Sequence, residues 1–129
     1  IQCSLEDKRE CFDLILKLRK YAAIIRQHGF LALEEEIKRI DDDFLAISIQ
    51  MGIDGVDPQL FREIQERRIL VDNCIGKELL RRVIITEAMA SILSEDTYTV
   101  FHYKLFSYLG EHGYRWAKEQ KLDLIGKNT

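Results

Sequence analysis

Cysteine and proline are scarce in these 129 residues and long apolar runs are missing, and each shortage removes a class of protein. One proline and seven glycines exclude collagen-like chains, low-complexity chains and linkers. Apolar runs as short as Val83 to Ile85 fall far below the roughly 20 residues a membrane helix needs, so this segment is not expected to insert into a bilayer. Cys3, Cys11 and Cys74 form neither a CxxC pair nor a Cys/His cluster, and their odd number argues against a disulfide framework. Reduced thiols in a cytoplasmic compartment are the expectation. A net charge of -3 lacks the basic signature of a dedicated nucleic-acid binder. The chain starts Ile1-Gln2 without a signal-like opening, so it is expected to be a processed product or a segment of a longer protein, with membrane attachment through flanking sequence left open.

Recognisable catalytic motifs are also missing. No GxxxxGK[ST], GxGxxG or GxSxG occurs, so there is no phosphate-cradling loop and no serine elbow. His28, His102 and His112 are scattered outside any HExxH, ExxH or Cys/His spacing, and surface or satisfied-core roles are expected for them. Cys74 has no base nearby in sequence and is expected to be a buried structural thiol. Glu34-Glu35-Glu36 and Asp41-Asp42-Asp43 lack the spacing of a calcium loop, which leaves a solvated acidic face with helix caps. Arg62, Arg67, Arg68, Lys77, Arg81 and Arg82 are interleaved with Glu63, Glu66, Asp72 and Glu78, the pattern of mixed-charge helix faces. No enzyme activity, cofactor or metal is expected.

What is present is helical periodicity almost throughout. From Leu5, the residues Cys11, Phe12, Leu14, Ile15, Leu18, Tyr21, Ala22 and Ile25 make one apolar stripe, and Gly29 is placed to end that helix as a left-handed cap. A short helix is predicted over 31–40, with Glu34 and Glu35 four residues before Lys38 and Arg39. The aspartates at 41–43 cap the next helix, which ends near Gly52 to Gly55; Asp57-Pro58 starts a helix reaching about Cys74. A helix over 77–93, a turn and cap at Ser94 to Asp96, and helices over 97–109 and 113–122 complete an all-α single-domain bundle of five to seven helices. Seven of the twelve aromatic residues lie in that last portion, with Phe101, Leu105, Tyr108 and His112 on one face if the helix is continuous.

Three blocks occur in order: Arg26-Gln27-His28-Gly29-Phe30-Leu31-Ala32-Leu33-Glu34, then Ile40-Asp41-Asp42-Asp43-Phe44, then Ile53-Asp54-Gly55-Val56-Asp57-Pro58-Gln59-Leu60. This order resembles the cytoplasmic region of the MotA-type flagellar stator subunit, with its approximate pattern R-x-x-G-x-x-x-L-E, I-D-D-x-F and D-G-x-D-P-x-L. The resemblance spans roughly residues 5–68 and divides the domain into a stator-like half, 1–68, and a helical, aromatic-rich half of unknown affiliation, 69–129. It implies a non-enzymatic interaction module at the cytoplasmic face of the inner membrane, oligomeric as stators are. Its partner would be the rotor switch protein, with Arg26 and Glu34 meeting opposite charges on it. Lys17, Lys20 and Lys38 are further contact candidates on the same stretch. After about Ile69 the resemblance ends, and the charged sequence that follows cannot build that family's proton pathway. The alternative reading is a soluble regulatory adaptor that binds a partner helix or peptide through an exposed patch of Tyr98, Phe101, Tyr103 and Tyr108.

Overall fold

Residues 1–122 are described by the structure, a computed structural model, and among them every regular element is helical. The helices are α1 (Leu5–His28), α2 (Glu34–Ile37), α3 (Asp43–Ile53), α4 (Pro58–Asp72), α5 (Gly76–Leu93), α6 (Tyr98–Ser107) and α7 (Glu111–Glu119), with a 3₁₀ turn, Phe30–Leu33, between the first two. They form one all-α domain of seven helices. Among these residues no helix is long and apolar enough to cross a membrane.

Side chains set the helix starts by satisfying amides that lack an intrahelical partner. Ser4 Oγ accepts from the Asp7 amide at 3.0 Å while Asp7 Oδ2 accepts from the Ser4 amide at 3.4 Å, a reciprocal cap for α1. Asp42 accepts from the Leu45 amide at 3.2 Å, and Asp57 from the amides of Gln59 and Leu60 at 3.0 and 3.1 Å. For α6 the cap is Thr97, which accepts from the Val100 amide at 3.2 Å. The turn at Ser94 to Asp96 is therefore where the sequence puts it, but its capping role lies one residue later.

The fold is built around α5, which packs against α1, α3, α4 and α6. From Ile84 to Ile92 nearly every residue is buried, so the helix is covered around its whole circumference. Against it lies the apolar stripe of α1, whose buried residues are the eight named above. Phe12 joins α1 to the C-terminal helices, stacking on Phe106 at 5.6 Å and meeting the edge of Trp116 at 5.7 Å. The two halves of the sequence thus share one core.

Between α3, α4 and α5 the core is partly polar. Gln65 is fully buried; its Nε2 donates to Ser48 Oγ at 2.7 Å and to Thr86 Oγ1 at 3.4 Å, while its Oε1 accepts from Arg68 at 2.6 Å. The Phe44 ring carries the guanidinium groups of Arg68 and Arg82 at 4.2 and 4.8 Å. Among the described residues every buried side-chain nitrogen and oxygen has a partner.

Four expectations are corrected. The segment 31–40 is not one helix, because the 3₁₀ turn occupies its first residues and α2 lasts four. Its ion pairs are consequently Lys38 with Glu35 at 3.3 Å and Arg39 with Glu36 at 3.5 Å, three residues apart as a tightened last turn brings them, and not four. The face shared by Phe101, Leu105, Tyr108 and His112 is interrupted, since α6 ends at Ser107 and His112 belongs to α7. Cys74 is half-buried; the fully buried thiol is Cys11.

Candidate functional site

The break after α1 is held from three directions. Gly29 has φ 84° and ψ 169°, positive φ that suits glycine but extended in ψ, so the chain leaves the helix more abruptly than a left-handed cap would allow. Its amide still donates to the Ile25 carbonyl at 2.7 Å. Phe30 then lays its ring on Gly52 of α3, so closely that a methyl group on Gly52 would sit 2.2 Å from Phe30 Cε1. Three residues on, Leu33 is buried in the core. Between these anchors, Arg26 and Glu34 remain exposed, one in the last turn of α1 and the other in the first turn of α2. A cation near a helix C-terminus and an anion near an N-terminus each complement the local backbone charge.

Arg26 is also tethered. Its Nη2 donates to the Asp96 carbonyl at 2.5 Å, reaching from α1 to the turn between α5 and α6. That turn is itself pinned, because Asp96 Oδ2 accepts from Ser91 Oγ at 2.7 Å and from Lys104 Nζ at 2.6 Å. Partial burial pushes the Asp96 carboxyl upward, but the hydrogen bonds from Lys104 and Ser91, with the charges of Lys104 and Arg26, outweigh it and leave it below the usual carboxylate value. Lys104 also approaches Glu87 at 3.8 Å, and Glu87 pairs with Arg62 of α4 at 2.7 Å, so the tether ends in a charged network across four helices.

The other basic candidates do not gather on one face. At about 100° per residue, Lys17 lies about half a turn around α1 from Arg26. Its ammonium sits 5.9 Å from the Tyr21 ring, on the flank where burial, then the charge of Glu36, raises the Tyr21 hydroxyl. Lys20 is exposed on the solvent side of α1, about 60° around the helix from Lys17 and about 120° from Arg26, at the edge of a cleft that Arg26 also lines. Lys38 is exposed and engaged with Glu35, whereas Glu34 has no ion pair among the described residues.

The four rings of the aromatic candidate are likewise dispersed. Phe101 is 1% exposed and belongs to the core, while Tyr103 is 45% exposed. The Tyr98 hydroxyl accepts from Arg19 Nη2 at 2.9 Å, and the Tyr108 hydroxyl donates to Glu87 Oε1 at 3.3 Å. They do not form a single exposed patch.

Sequence reasoning passed over Arg19 and gave His102 only a surface or satisfied-core role. Arg19 Nε donates to His102 Nε2 at 3.0 Å, and His102 Nδ1 lies 2.7 Å from the Tyr98 carbonyl. Both contacts are satisfied at once by a neutral imidazole with its proton on Nδ1. Burial, with the charges of Arg19 and Arg26, lowers the His102 pKa to about 4 against the upward pull of the Tyr98 carbonyl. Arg19 precedes Arg26 by seven residues, two helical turns, and that spacing was readable; the partner 83 residues away was not. Among the described residues no group of three or more His, Cys, Asp or Glu side chains is placed to hold a metal ion.

No protein-family model matches the chain, and no solved structure matches it. Among curated proteins it is similar to Motility protein A of Treponema pallidum (strain Nichols), 35% identical over 57 residues. It is 33% identical over the same length to Motility protein A of Treponema phagedenis and of Bacillus subtilis (strain 168). The match covers 44% of this chain in each case, and the chain spans about a fifth of the length of these relatives, 22%, 22% and 21%. The likeness to the stator subunit is therefore real but partial.

Proposed function

We propose that this chain is a non-enzymatic helical interaction module of the flagellar motor that docks on the rotor switch protein through Arg26 and Glu34. The observation that carries the reading is the clamped break at Gly29. Phe30 on Gly52 and Leu33 in the core hold the connection rigid, and the two charges flank it in solvent. Partial likeness to Motility protein A supports the same assignment. In this reading residues 1–68 carry the contact and residues 69–129 brace it, the latter through the Asp96 carbonyl that holds Arg26. Lys20, on the solvent side of α1 between Lys17 and Arg26, would add attraction for an acidic surface, whereas Lys17 and Lys38 contribute less from elsewhere. The module works at the cytoplasmic face of the inner membrane, held there by the assembly it joins.

Exposed, salt-screened charges steer and register an encounter more than they tighten it. Binding should therefore be modest and salt-sensitive. The test is a titration against the rotor switch protein of the same cell at low and high salt, with Arg26→Glu and Glu34→Lys alongside. Salt-sensitive binding that each reversal weakens by about tenfold or more is expected. Binding unchanged by both reversals, or absent at both salt concentrations, overturns the assignment.

A further inference from the structure

On the side of α1 that faces the start of α6 there is a cleft of about 320 Å³ whose charge is unbalanced. Arg19, Lys20 and Arg26 line it, and its lining includes no acidic residue. Ala22, Ala23 and Phe101 supply an apolar floor beside Tyr98. That volume is at the small end of ligand sites, which combine an apolar lining with a few fixed polar groups.

The unusual member is Arg19. Among the other part-buried arginines, Arg68 on α4 is the exception, meeting the neutral Gln65 and the Phe44 ring away from this cleft, while Arg62 is neutralised by Glu87 at 2.7 Å, Arg82 by Asp72 and Glu78 at 2.6 and 2.8 Å, and Arg81 by Asp42. Arg19 meets two neutral acceptors instead, His102 and Tyr98, and has no carboxylate within ion-pair distance among the described residues. Two of its five N–H groups are used to fix the plane of the guanidinium, which leaves its charge and three donors for something else. His102 is the positioning residue, since its Nε2 is committed as acceptor to Arg19. Lys20 forms no ion pair among the described residues, and the Asp96 carboxylate beyond Arg26 is taken up by Lys104 and Ser91.

We propose that this cleft binds a small phosphate monoester carried on a compact apolar or aromatic group. Arg19, Lys20 and Arg26 line one cleft, and Arg19 is a planar fork held in place before the ligand arrives, which is the arrangement that recognises phosphate oxygens in pairs. A phosphate monoester carries a charge between -1.5 and -2 near neutral pH and would balance most of that excess. The organic group would rest on Phe101 and the two alanines. This assignment does not rest on the rotor contact, since it needs no motor component, although Arg26 and Lys20 take part in both.

Phenyl phosphate is the probe, followed by amide chemical shifts in the intact chain, with inorganic phosphate and benzyl alcohol as the charge-only and ring-only arms. The expected result is saturable shifts centred on Ala22, Ala23 and Phe101, with a Kd of about 1 mM or tighter. Inorganic phosphate should bind more weakly at the same place, and benzyl alcohol should give no saturation. Lys20→Gln, at an exposed and unpaired position, should weaken phenyl phosphate about tenfold, as one lost charge-assisted contact would. Ala23→Phe, which fills the cleft without touching a charge, should abolish binding. Absence of saturation in the unmodified chain overturns the proposal, and so does binding that survives Ala23→Phe, which would mean that the cations attract anions without a cleft.

Discussion

Replacing Gly52 by alanine tests how the break after α1 is held, because the added methyl would fall 2.2 to 2.7 Å from three atoms of the Phe30 ring. The backbone at Gly52 is helical and accepts alanine, so two opposing effects remain. Alanine gains up to about 1 kcal/mol of helix propensity over glycine. Crowding a seated ring costs about 1–3 kcal/mol, since Phe30 must leave its position or α3 must shift. The net expectation for Gly52→Ala is a loss of about 1–2 kcal/mol in urea unfolding at unchanged m value. Phe30→Ala alone should cost about 2 kcal/mol, at the low end for a half-buried aromatic ring. In the Phe30→Ala background the obstacle is gone and Gly52→Ala should change sign, becoming neutral or stabilising. The coupling between the two sites should then be about 2 kcal/mol. Amide exchange over 30–37 should accelerate in Gly52→Ala, because that segment loses its anchor on α3. Additivity of the two substitutions to within about 0.5 kcal/mol would refute the ring-on-glycine contact as what holds the break.

His102 is 1% exposed and neutral in the fold, so the unfolded chain binds its proton first as pH falls; stability should drop by about 3 kcal/mol between pH 6.5 and about 4, and that part of the slope should vanish in His102→Gln. Parallel pH profiles for the two proteins would contradict this. Burial pushes the Cys11 thiol up to about 11, so a thiol reagent near pH 8 should modify Cys3 and Cys74 and reach Cys11 after urea unfolding; three equal rates in the folded protein would exclude the packing described. Gln65→Leu keeps most of the volume but strips Thr86 and Arg68 of a partner, and a loss of about 2 kcal/mol is expected in urea unfolding, a change below about 0.5 kcal/mol being the contrary result.

Much of the fold was legible because its signals are local. The α1 stripe could be read from spacing alone, and all eight of its residues are buried. Asp57-Pro58 starts α4 because an acceptor side chain and a pre-set φ act within one turn. What failed to be read depends on distant partners. The segment 31–40 was expected to be one helix, yet Phe30 is drawn to Gly52 and Leu33 into the core, and those pulls shorten α2 to four residues. The periodicity of α6 sets Phe101 and Tyr103 about 200° apart, but it does not say which of the two aromatic faces turns inward, because that is chosen by packing against α1 and α5.

The candidate site divides along the same line. Arg26 and Glu34 were identifiable because the blocks that contain them resemble a known pattern, and pattern resemblance is a local property. Their setting is not local: Arg26 is held by a carbonyl 70 residues away, on a turn whose carboxylate belongs to Lys104 and Ser91. The part of the chain that resembles a stator therefore supplies the charges, and the part that does not resemble one fixes the guanidinium of Arg26. If Arg26 makes the proposed contact, residues outside the stator-like stretch would alter it without changing any residue of that contact, by moving the Asp96 turn. Substitution of Lys104 or Ser91 thus belongs in the same binding series as reversal of Arg26 itself.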